Sequence, residues 1–169
     1  SDAQPTTVDA QPVVNDLSEA ETRKLYIDLL LHEAGWTVTE QVGKIVPRQA
    51  GIEIEVQGMP NESGMGYADY VLFDADVTPL AVVEAKRTSV DAVAGRHQAE
   101  LYADCLAARN VCPRPVIYYT NGFETNIIDG IGYPSRKVMG FHTIDELRRM
   151  IAQRGRADIT DLQISDRIT

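Results

Sequence analysis

Three short segments of the chain carry residue types that could do chemistry together. They are Ala68-Asp69-Tyr70, Glu84-Ala85-Lys86 and Gln98-x-x-x-Tyr102, the last of which begins twelve residues after the lysine. Two carboxylates that converge repel each other unless a cation lies between them, and Mg²⁺ is the usual choice. A lysine nearby can orient or deprotonate an attacking water and neutralise charge on a phosphate. The segments therefore predict metal-dependent phosphodiester hydrolysis, provided that the fold brings them together.

Two of these segments fall on a predicted β-hairpin. Residues 67–73 and 80–86 are rich in β-forming side chains and are separated by a turn-forming stretch at 74–79. Side chains alternate across a strand, so one face of the second strand should carry Leu80, Val82, Glu84 and Lys86. If the hairpin closes at 74–79, Asp69 and Glu84 lie near its far end and converge.

The third segment lies on a predicted helix at 95–109. Its stripe at helical spacing consists of Gln98, Leu101, Tyr102, Cys105, Leu106 and Arg109. A glutamine on a buried stripe needs a hydrogen-bonding partner. Two alternatives remain open: a core glutamine bonded to the backbone, and a tyrosine that only fills the core.

The first helix of the chain is predicted from a capping box. Ser18 caps the helix and Glu21 reaches back to it, after which the helix runs to about His32 and ends at Gly35. The buried face of this helix is predicted to carry Leu25, Tyr26, Leu29 and Leu30.

The remaining segments predict an α/β fold. Further strands are predicted at 36–39, 52–56, 116–120, 124–128 and 137–141. A second capping box, formed by Thr143 and Glu146, opens a short helix. The core order αβββαβ predicts a central mixed β-sheet flanked by helices.

Composition indicates one soluble domain of 169 residues, of which 44% are hydrophobic. We expect a flexible leader at 1–16, the folded domain at 17–152 and a C-terminal extension at 153–169. No apolar run reaches the roughly 20 residues that a membrane span needs. Cys105 and Cys112, without nearby histidine ligands, argue against a disulfide framework or a zinc site and favour a reducing cytoplasm.

In combination, the motifs resemble the N-terminal PD-(D/E)XK nuclease domain of the R subunit of type I restriction–modification enzymes. The matching runs are at 18–23, 34–36, 66–72, 79–87, 98–103 and 120–122. The resemblance implies a restriction-endonuclease-like fold. The name of this nuclease class implies Pro-Asp where this chain has Ala68-Asp69, a substitution that the type I subunits tolerate.

The resemblance also implies roles for particular residues. Asp69 and Glu84 would bind Mg²⁺, Lys86 would be the catalytic lysine, and Gln98 with Tyr102 would form a motif shared with RecB-like nucleases. The family's acidic residue on the first helix would be Glu19, which would also bind the metal. Glu21 is the rival for this position, although its place in the capping box gives it a structural explanation.

The expected partners follow from the same resemblance. In full-length R subunits, a helicase motor that uses ATP follows this domain, and modification and specificity subunits recognise the DNA sequence. No Gly-rich phosphate-binding loop with a lysine occurs here, so we expect an excised domain that cuts double-stranded DNA without sequence specificity of its own. The expected location is the cytoplasm of a bacterium or archaeon.

Charge limits how this domain could bind DNA. The net charge is −9, and the stretch between Arg48 and Lys86 contains no Lys or Arg but holds seven acids. Such a stretch repels phosphates, so we expect most of the DNA affinity to come from other parts of the enzyme. For most of these acids, a solvated surface is the favoured interpretation.

Three residues flanking the site are candidate DNA contacts. They are Arg87, Arg96 and Asn121. A plain surface role is the alternative for the arginines, whereas a turn is the favoured role of Asn121. His97 beside the glutamine is a further candidate, with a solvated side chain as the favoured interpretation.

Other functions remain open at this point. The chain could be the nuclease domain of another helicase or repair enzyme, which would share the chemistry and differ in its partners. It could also be a catalytically silent module with the nuclease fold, although the presence of Asp69, Glu84 and Lys86 argues against this. A stand-alone junction resolvase is disfavoured by the net charge of −9.

Overall fold

The protein is built on a mixed β-sheet of seven strands that follow one another in the sheet in chain order. The computed structural model describes residues 21, 23–86, 92–131, 135–154 and 156. The strands are β1 Thr37–Val38, β2 Gln49–Gln57, β3 Met65–Phe73, β4 Pro79–Ala85, β5 Val116–Thr120, β6 Thr125–Ile128 and β7 Arg136–Val138. The helices are α1 Asp28–Glu33, preceded by a π-helical turn at Arg23–Ile27, then α2 Ala92–Asn110 and α3 at 144–154.

Strand direction explains where the long helix lies. β2, β3 and β4 are antiparallel neighbours, and β5, β6 and β7 form a second antiparallel set. β4 and β5 run parallel, with Val82 opposite Ile117 and Ala85 opposite Thr120. Parallel strands need a long crossover connection, and α2 supplies it. The ends of β4 and β5 therefore meet at one edge of the sheet.

Most elements predicted from the sequence are confirmed, with boundaries shifted by up to three residues. The β3–β4 hairpin closes at 74–78, α2 is present, and β5 has the predicted bounds. The second capping box is also confirmed: Thr143 N donates to Glu146 Oε1 at 2.9 Å, and Glu146 N donates to Thr143 Oγ1 at 3.2 Å. The Ser18 cap lies outside the described residues.

The predicted buried face of the first helix is wrong. Leu25 and Leu29 are each 55% exposed, whereas Ile27 and Leu31 are fully buried. The core-facing positions Ile27, Leu30 and Leu31 follow the i, i+3, i+4 spacing of a regular helix. The prediction chose the wrong members of an almost continuous apolar run at 25–31. Tyr26 and Leu30, the other two predicted positions, are half-buried.

Two further details of side-chain direction also differ from the prediction. Leu80 packs with the cluster that contains Ala81 and Val83 rather than with Val82, beside a register shift at Leu72–Phe73. On α2 the fully buried positions are Gly95, Ala99, Tyr102, Ala103 and Leu106, whereas Arg109 is exposed. Tyr102 and Leu106 of the predicted stripe are thus confirmed as buried, whereas Gln98, Leu101 and Cys105 are half-buried. The small side chains between them let the helix approach the sheet closely.

Both faces of the sheet carry an apolar core. One cluster packs against α1 and α3 and includes Leu31, Tyr118 and Leu147, while the other packs under α2 and includes Val71, Val82 and Ile117. Within the described residues, no helix combines the length and the apolar character needed to cross a membrane.

Contacts between distant parts of the chain close the first core. The Trp36 indole N–H donates to the His142 carbonyl oxygen at 2.9 Å, which joins the start of β1 to the segment before α3. The Arg148 guanidinium on α3 donates through Nε to Asp74 Oδ1 at 3.1 Å. This ion pair holds the pKa of Asp74 below its ordinary value and fastens α3 to the hairpin turn.

The buried and exposed leucines of α1 should contribute differently to the stability of the fold. Leu31→Ala removes a fully buried side chain, and we expect it to lower the free energy of unfolding by about 2–5 kcal/mol. Leu29→Ala, two residues away and half exposed, should change it by about 0.5 kcal/mol or less. Urea denaturation followed by circular dichroism measures both values. Equal losses in the two variants would contradict the observed helix face.

Candidate functional site

Asp69 and Glu84 lie side by side where the β3–β4 hairpin opens. The backbone pairing of β3 with β4 ends at Tyr70–Val83, so the two acids occupy the next position along both strands. Asp69 Oδ2 accepts a hydrogen bond from the Ala85 backbone N–H at 2.7 Å. A side-chain oxygen thus continues the pairing where the backbone register stops. Glu84 is only 4% exposed, and Asp69 is half-buried.

Lys86 follows the end of β4 and points back toward the acids. Its ammonium lies 4.0 Å from Glu84 Oε1, and its backbone N–H donates to the Thr120 carbonyl of β5 at 2.7 Å. The side chain is 22% exposed, so most of it is covered while part still reaches solvent. The short spacing of Glu-x-Lys on an alternating strand brings the two side chains to the same face.

A chain of hydrogen bonds links Lys86 to the long helix. Lys86 Nζ donates to Gln98 Oε1 at 3.4 Å, and Gln98 Nε2 donates to the Tyr102 hydroxyl oxygen at 2.6 Å. The four-residue spacing on α2 makes the second bond possible, because residues at i and i+4 are neighbours on a helix. Gln98 therefore bonds to two side chains, not only to the backbone as the first alternative had it. Tyr102 packs in the core and also accepts a hydrogen bond from Gln98.

The tyrosine also responds to the acids electrostatically. Burial raises the pKa of the Tyr102 hydroxyl, negative charge on Glu84 raises it further, and Asp69 adds a smaller effect of the same sign. The hydroxyl therefore stays protonated at neutral pH and remains a hydrogen-bond donor. This places Tyr102 within electrostatic reach of both carboxylates.

The donor set is compatible with a hard divalent cation. Two adjacent carboxylates, one of them almost fully buried, supply the oxygen ligands that Mg²⁺ prefers, and Mg²⁺ commonly uses one or two carboxylates while keeping several waters. Among the described residues, no group of three or more His, Cys, Asp or Glu side chains could hold a metal. Glu19, the predicted third acid, lies outside that part of the chain, and its rival Glu21 is exposed.

The remaining predicted contacts are placed as follows. Arg87 lies outside the described residues. Arg96 Nε donates to Glu100 Oε1 at 3.1 Å along α2, and His97 is exposed. Asn121 Oδ1 accepts the backbone N–H groups of residues 123 and 124, at 2.9 and 2.7 Å, so this side chain builds the β5–β6 turn.

One feature of the site was missed from the sequence. A small pocket lies beside the lysine, and it is lined by Lys86, Ala92, Tyr119, Thr120, Asn121, Glu124 and Asn126. It forms because parallel β4 and β5 end at the same edge of the sheet. The sequence pattern that could have predicted this pocket is a pair of β-rich runs separated by a helix, with Asn121-Gly122 directly after the second run.

A family model matches the part of the chain that holds these residues. The model describes the second domain of the type I restriction enzyme EcoKI endonuclease subunit, and it matches residues 43–125. The match includes Asp69, Glu84, Lys86, Gln98 and Tyr102.

Comparison with individual proteins agrees with the family model. The type I restriction enzyme EcoKI endonuclease subunit of Escherichia coli strain K12 is 38% identical over 97 residues, which cover 53% of this chain and 8% of that protein. The chain thus spans only a small fraction of this relative's length.

A solved structure extends the similarity to the fold. It is a fragment described as the HsdR subunit of a type I restriction enzyme from Vibrio vulnificus YJ016. It shares 27% sequence identity and a TM-score of 0.58, covering 82% of this chain and 26% of that one. All three matches are to parts of type I restriction enzyme endonuclease or HsdR subunits, and this chain is similar to those parts.

Proposed function

We propose that this chain is the Mg²⁺-dependent nuclease region of a type I restriction enzyme R subunit and that it hydrolyses phosphodiester bonds of double-stranded DNA. The observation that carries the proposal is the junction of Asp69, Glu84 and Lys86 at the opening of one hairpin, with Glu84 only 4% exposed. A buried carboxylate beside a second carboxylate is costly for a purely structural surface. A cation-dependent reaction on an anionic substrate would account for all three residues: the two acids would bind the cation, and the lysine would contact the substrate anion.

The charged side chains of the site would have different roles in the reaction. Asp69 and Glu84 would hold Mg²⁺, which would lower the pKa of the attacking water and stabilise the leaving oxygen. The Lys86 ammonium, 4.0 Å from Glu84 Oε1, neutralises charge on the scissile phosphate and orients the nucleophile. Gln98 fixes the ammonium by accepting its hydrogen bond, and Tyr102 fixes Gln98. The Lys86 ammonium sets the direction of these bonds, because it can only donate and therefore leaves the Gln98 amide nitrogen to donate to Tyr102.

The wider assignment follows from this site and from the relatives. The mixed sheet with its crossover helix is compatible with a restriction-endonuclease-like fold, in which the hairpin acids face the long helix. Sequence recognition would come from specificity and modification subunits, and ATP-driven translocation from a motor elsewhere in the R subunit. The acidity of this region, with a net charge of −9, is consistent with DNA being held mainly by those parts in the bacterial cytoplasm.

Mg²⁺ binding by this chain tests the roles of Asp69 and Glu84. We expect saturable binding in isothermal titration calorimetry and a loss of affinity of at least about tenfold in Asp69→Asn and in Glu84→Gln, because each removes one ligand charge. Glu62→Gln, which changes an exposed acid in the loop between β2 and β3, is the matched control and should bind as the parent does. Binding that is identical in all four proteins would refute the proposed metal site.

Loss of the lysine should affect cleavage and Mg²⁺ binding differently from loss of a metal ligand. Lys86→Ala should lower the rate of Mg²⁺-dependent plasmid cleavage by about 10²-fold or more, because the positioned proton-transfer and charge-neutralising group is lost. The same variant should keep or raise its Mg²⁺ affinity, because a positive charge near Glu84 is removed. Lys44→Ala, an exposed lysine in the β1–β2 connection, serves as the control. Loss of Mg²⁺ binding in Lys86→Ala would contradict the assigned roles.

A further inference from the structure

Two glycines touch the hydrogen-bonded chain of Lys86, Gln98 and Tyr102. Gly66 lies in β3 and Gly95 lies in the first turns of α2. Neither has the left-handed backbone that favours glycine, in contrast to Gly35, whose φ is +88°. The backbone conformation therefore does not explain why glycine occupies these two positions.

Glycine is unfavourable at both places on local grounds. In the interior of a helix or strand it loses more conformational freedom on folding than alanine does, and it contributes no side chain to packing. Gly95 is also fully buried on the face of α2 that meets the sheet, where alanine occupies two of the other buried positions. Some contact must therefore require the absence of a side chain.

The lysine stem fills the space next to Gly95. A Cβ atom at Gly95 would lie 2.8 Å from Lys86 Cγ, 3.3 Å from Cε and 3.6 Å from Cδ. The first distance is shorter than carbon atoms tolerate, and Cγ is too near the backbone to move without displacing the ammonium. The stem of Lys86 therefore lies flat against the helix backbone because Gly95 has no side chain.

The tyrosine ring fills the space next to Gly66 in the same way. A Cβ atom there would lie 2.7 Å from Tyr102 Cε1, 3.1 Å from the hydroxyl oxygen and 3.3 Å from Cζ. The ring is 2% exposed and packed on all sides, so it has little room to yield.

We propose that Gly95 and Gly66 are positioning residues that hold the two ends of the Lys86–Gln98–Tyr102 chain. Gly95 lets the lysine stem lie where its ammonium reaches both Glu84 Oε1 and Gln98 Oε1, at 4.0 and 3.4 Å. Gly66 lets the tyrosine hydroxyl reach Gln98 Nε2 at 2.6 Å. A long, flexible lysine is thereby confined to few rotamers before substrate arrives. The catalytic part of this inference rests on the function proposed above for Lys86.

The direct test is magnetic resonance of the lysine side chains. The chain contains four lysines, so ¹³Cε-lysine labelling gives few signals, and Lys86→Arg identifies the one from Lys86. Gly95→Ala is expected to move the Lys86 signal while leaving those of Lys44 and Lys137 in place. Gly140→Ala is the matched control, since a Cβ there meets nothing within 4 Å and its backbone is not left-handed. An unmoved Lys86 signal in Gly95→Ala overturns the inference.

Catalysis supplies a readout that a merely structural role would not change. In Mg²⁺-dependent DNA cleavage, Gly95→Ala should lower kcat by about tenfold or more while KM for DNA and Mg²⁺ affinity stay within about twofold. In a Lys86→Ala background the same substitution should cost no further activity, because the residue it displaces is absent. A moved Lys86 signal with unchanged kcat would overturn the positioning role. By contrast, full activity of Lys86→Ala itself would overturn the proposed function.

A suppressor variant covers the case in which Gly95→Ala does not fold. The double variant Gly95→Ala, Lys86→Ala removes the side-chain atoms that the new Cβ meets, and alanine favours the helix more than glycine does. We expect the double variant to unfold at or above the temperature of Lys86→Ala alone. A double variant that is still unfolded would show that something other than Lys86 requires Gly95, and would overturn the inference.

Discussion

The arrangement of the site depends on the burial of the Glu84 carboxylate. It lies in a strand whose seven residues are all buried, and only 4% of its own surface reaches solvent. Removing an ion from water costs several kcal/mol even after relaxation, unless charges and dipoles nearby compensate. Lys86 provides part of this compensation at 4.0 Å, and the neighbouring Asp69 adds negative charge that works against it. The site is thus arranged around negative charge that a bound cation would relieve.

The parallel pairing of β4 with β5 determines which groups lie next to these acids. α2 must cross from the end of one strand to the start of the next, and this path carries Gln98 and Tyr102 over the hairpin acids. The Thr120 carbonyl at the end of β5 holds the backbone N–H of Lys86. Side chains of β3, β4 and α2 therefore converge where β4 ends, together with Lys86, which directly follows that strand.

The sequence predicted this arrangement to the extent that local signals determine it. The hairpin turn, the alternation of Glu84 and Lys86, and the i, i+4 spacing of Gln98 and Tyr102 are all local, and each placed its residues on the observed element. The buried face of the first helix was predicted wrongly, because six of the seven residues at 25–31 are apolar and local sequence does not show which of them meet the sheet.

Other features of the site depended on tertiary packing that no local pattern encodes. The space required at Gly66 and Gly95 arises between elements that are distant in sequence, and so does the pocket lined by Asn126. A glycine read from sequence alone indicates a turn or a weak helix. Here it marks close passage of another side chain, which only the assembled structure reveals.

The bond from Trp36 to the segment before α3 has a consequence for biosynthesis. It spans 106 residues, and Arg148 reaches back 74 residues to Asp74. Contacts between residues so far apart slow folding, because a long loop must close before they form. The seven strands can pair in the order in which the ribosome delivers them, yet the core around Tyr118 and Leu147 stays open until α3 has emerged. The nascent chain therefore exposes an apolar sheet face during synthesis, and that interval is when it most needs chaperones.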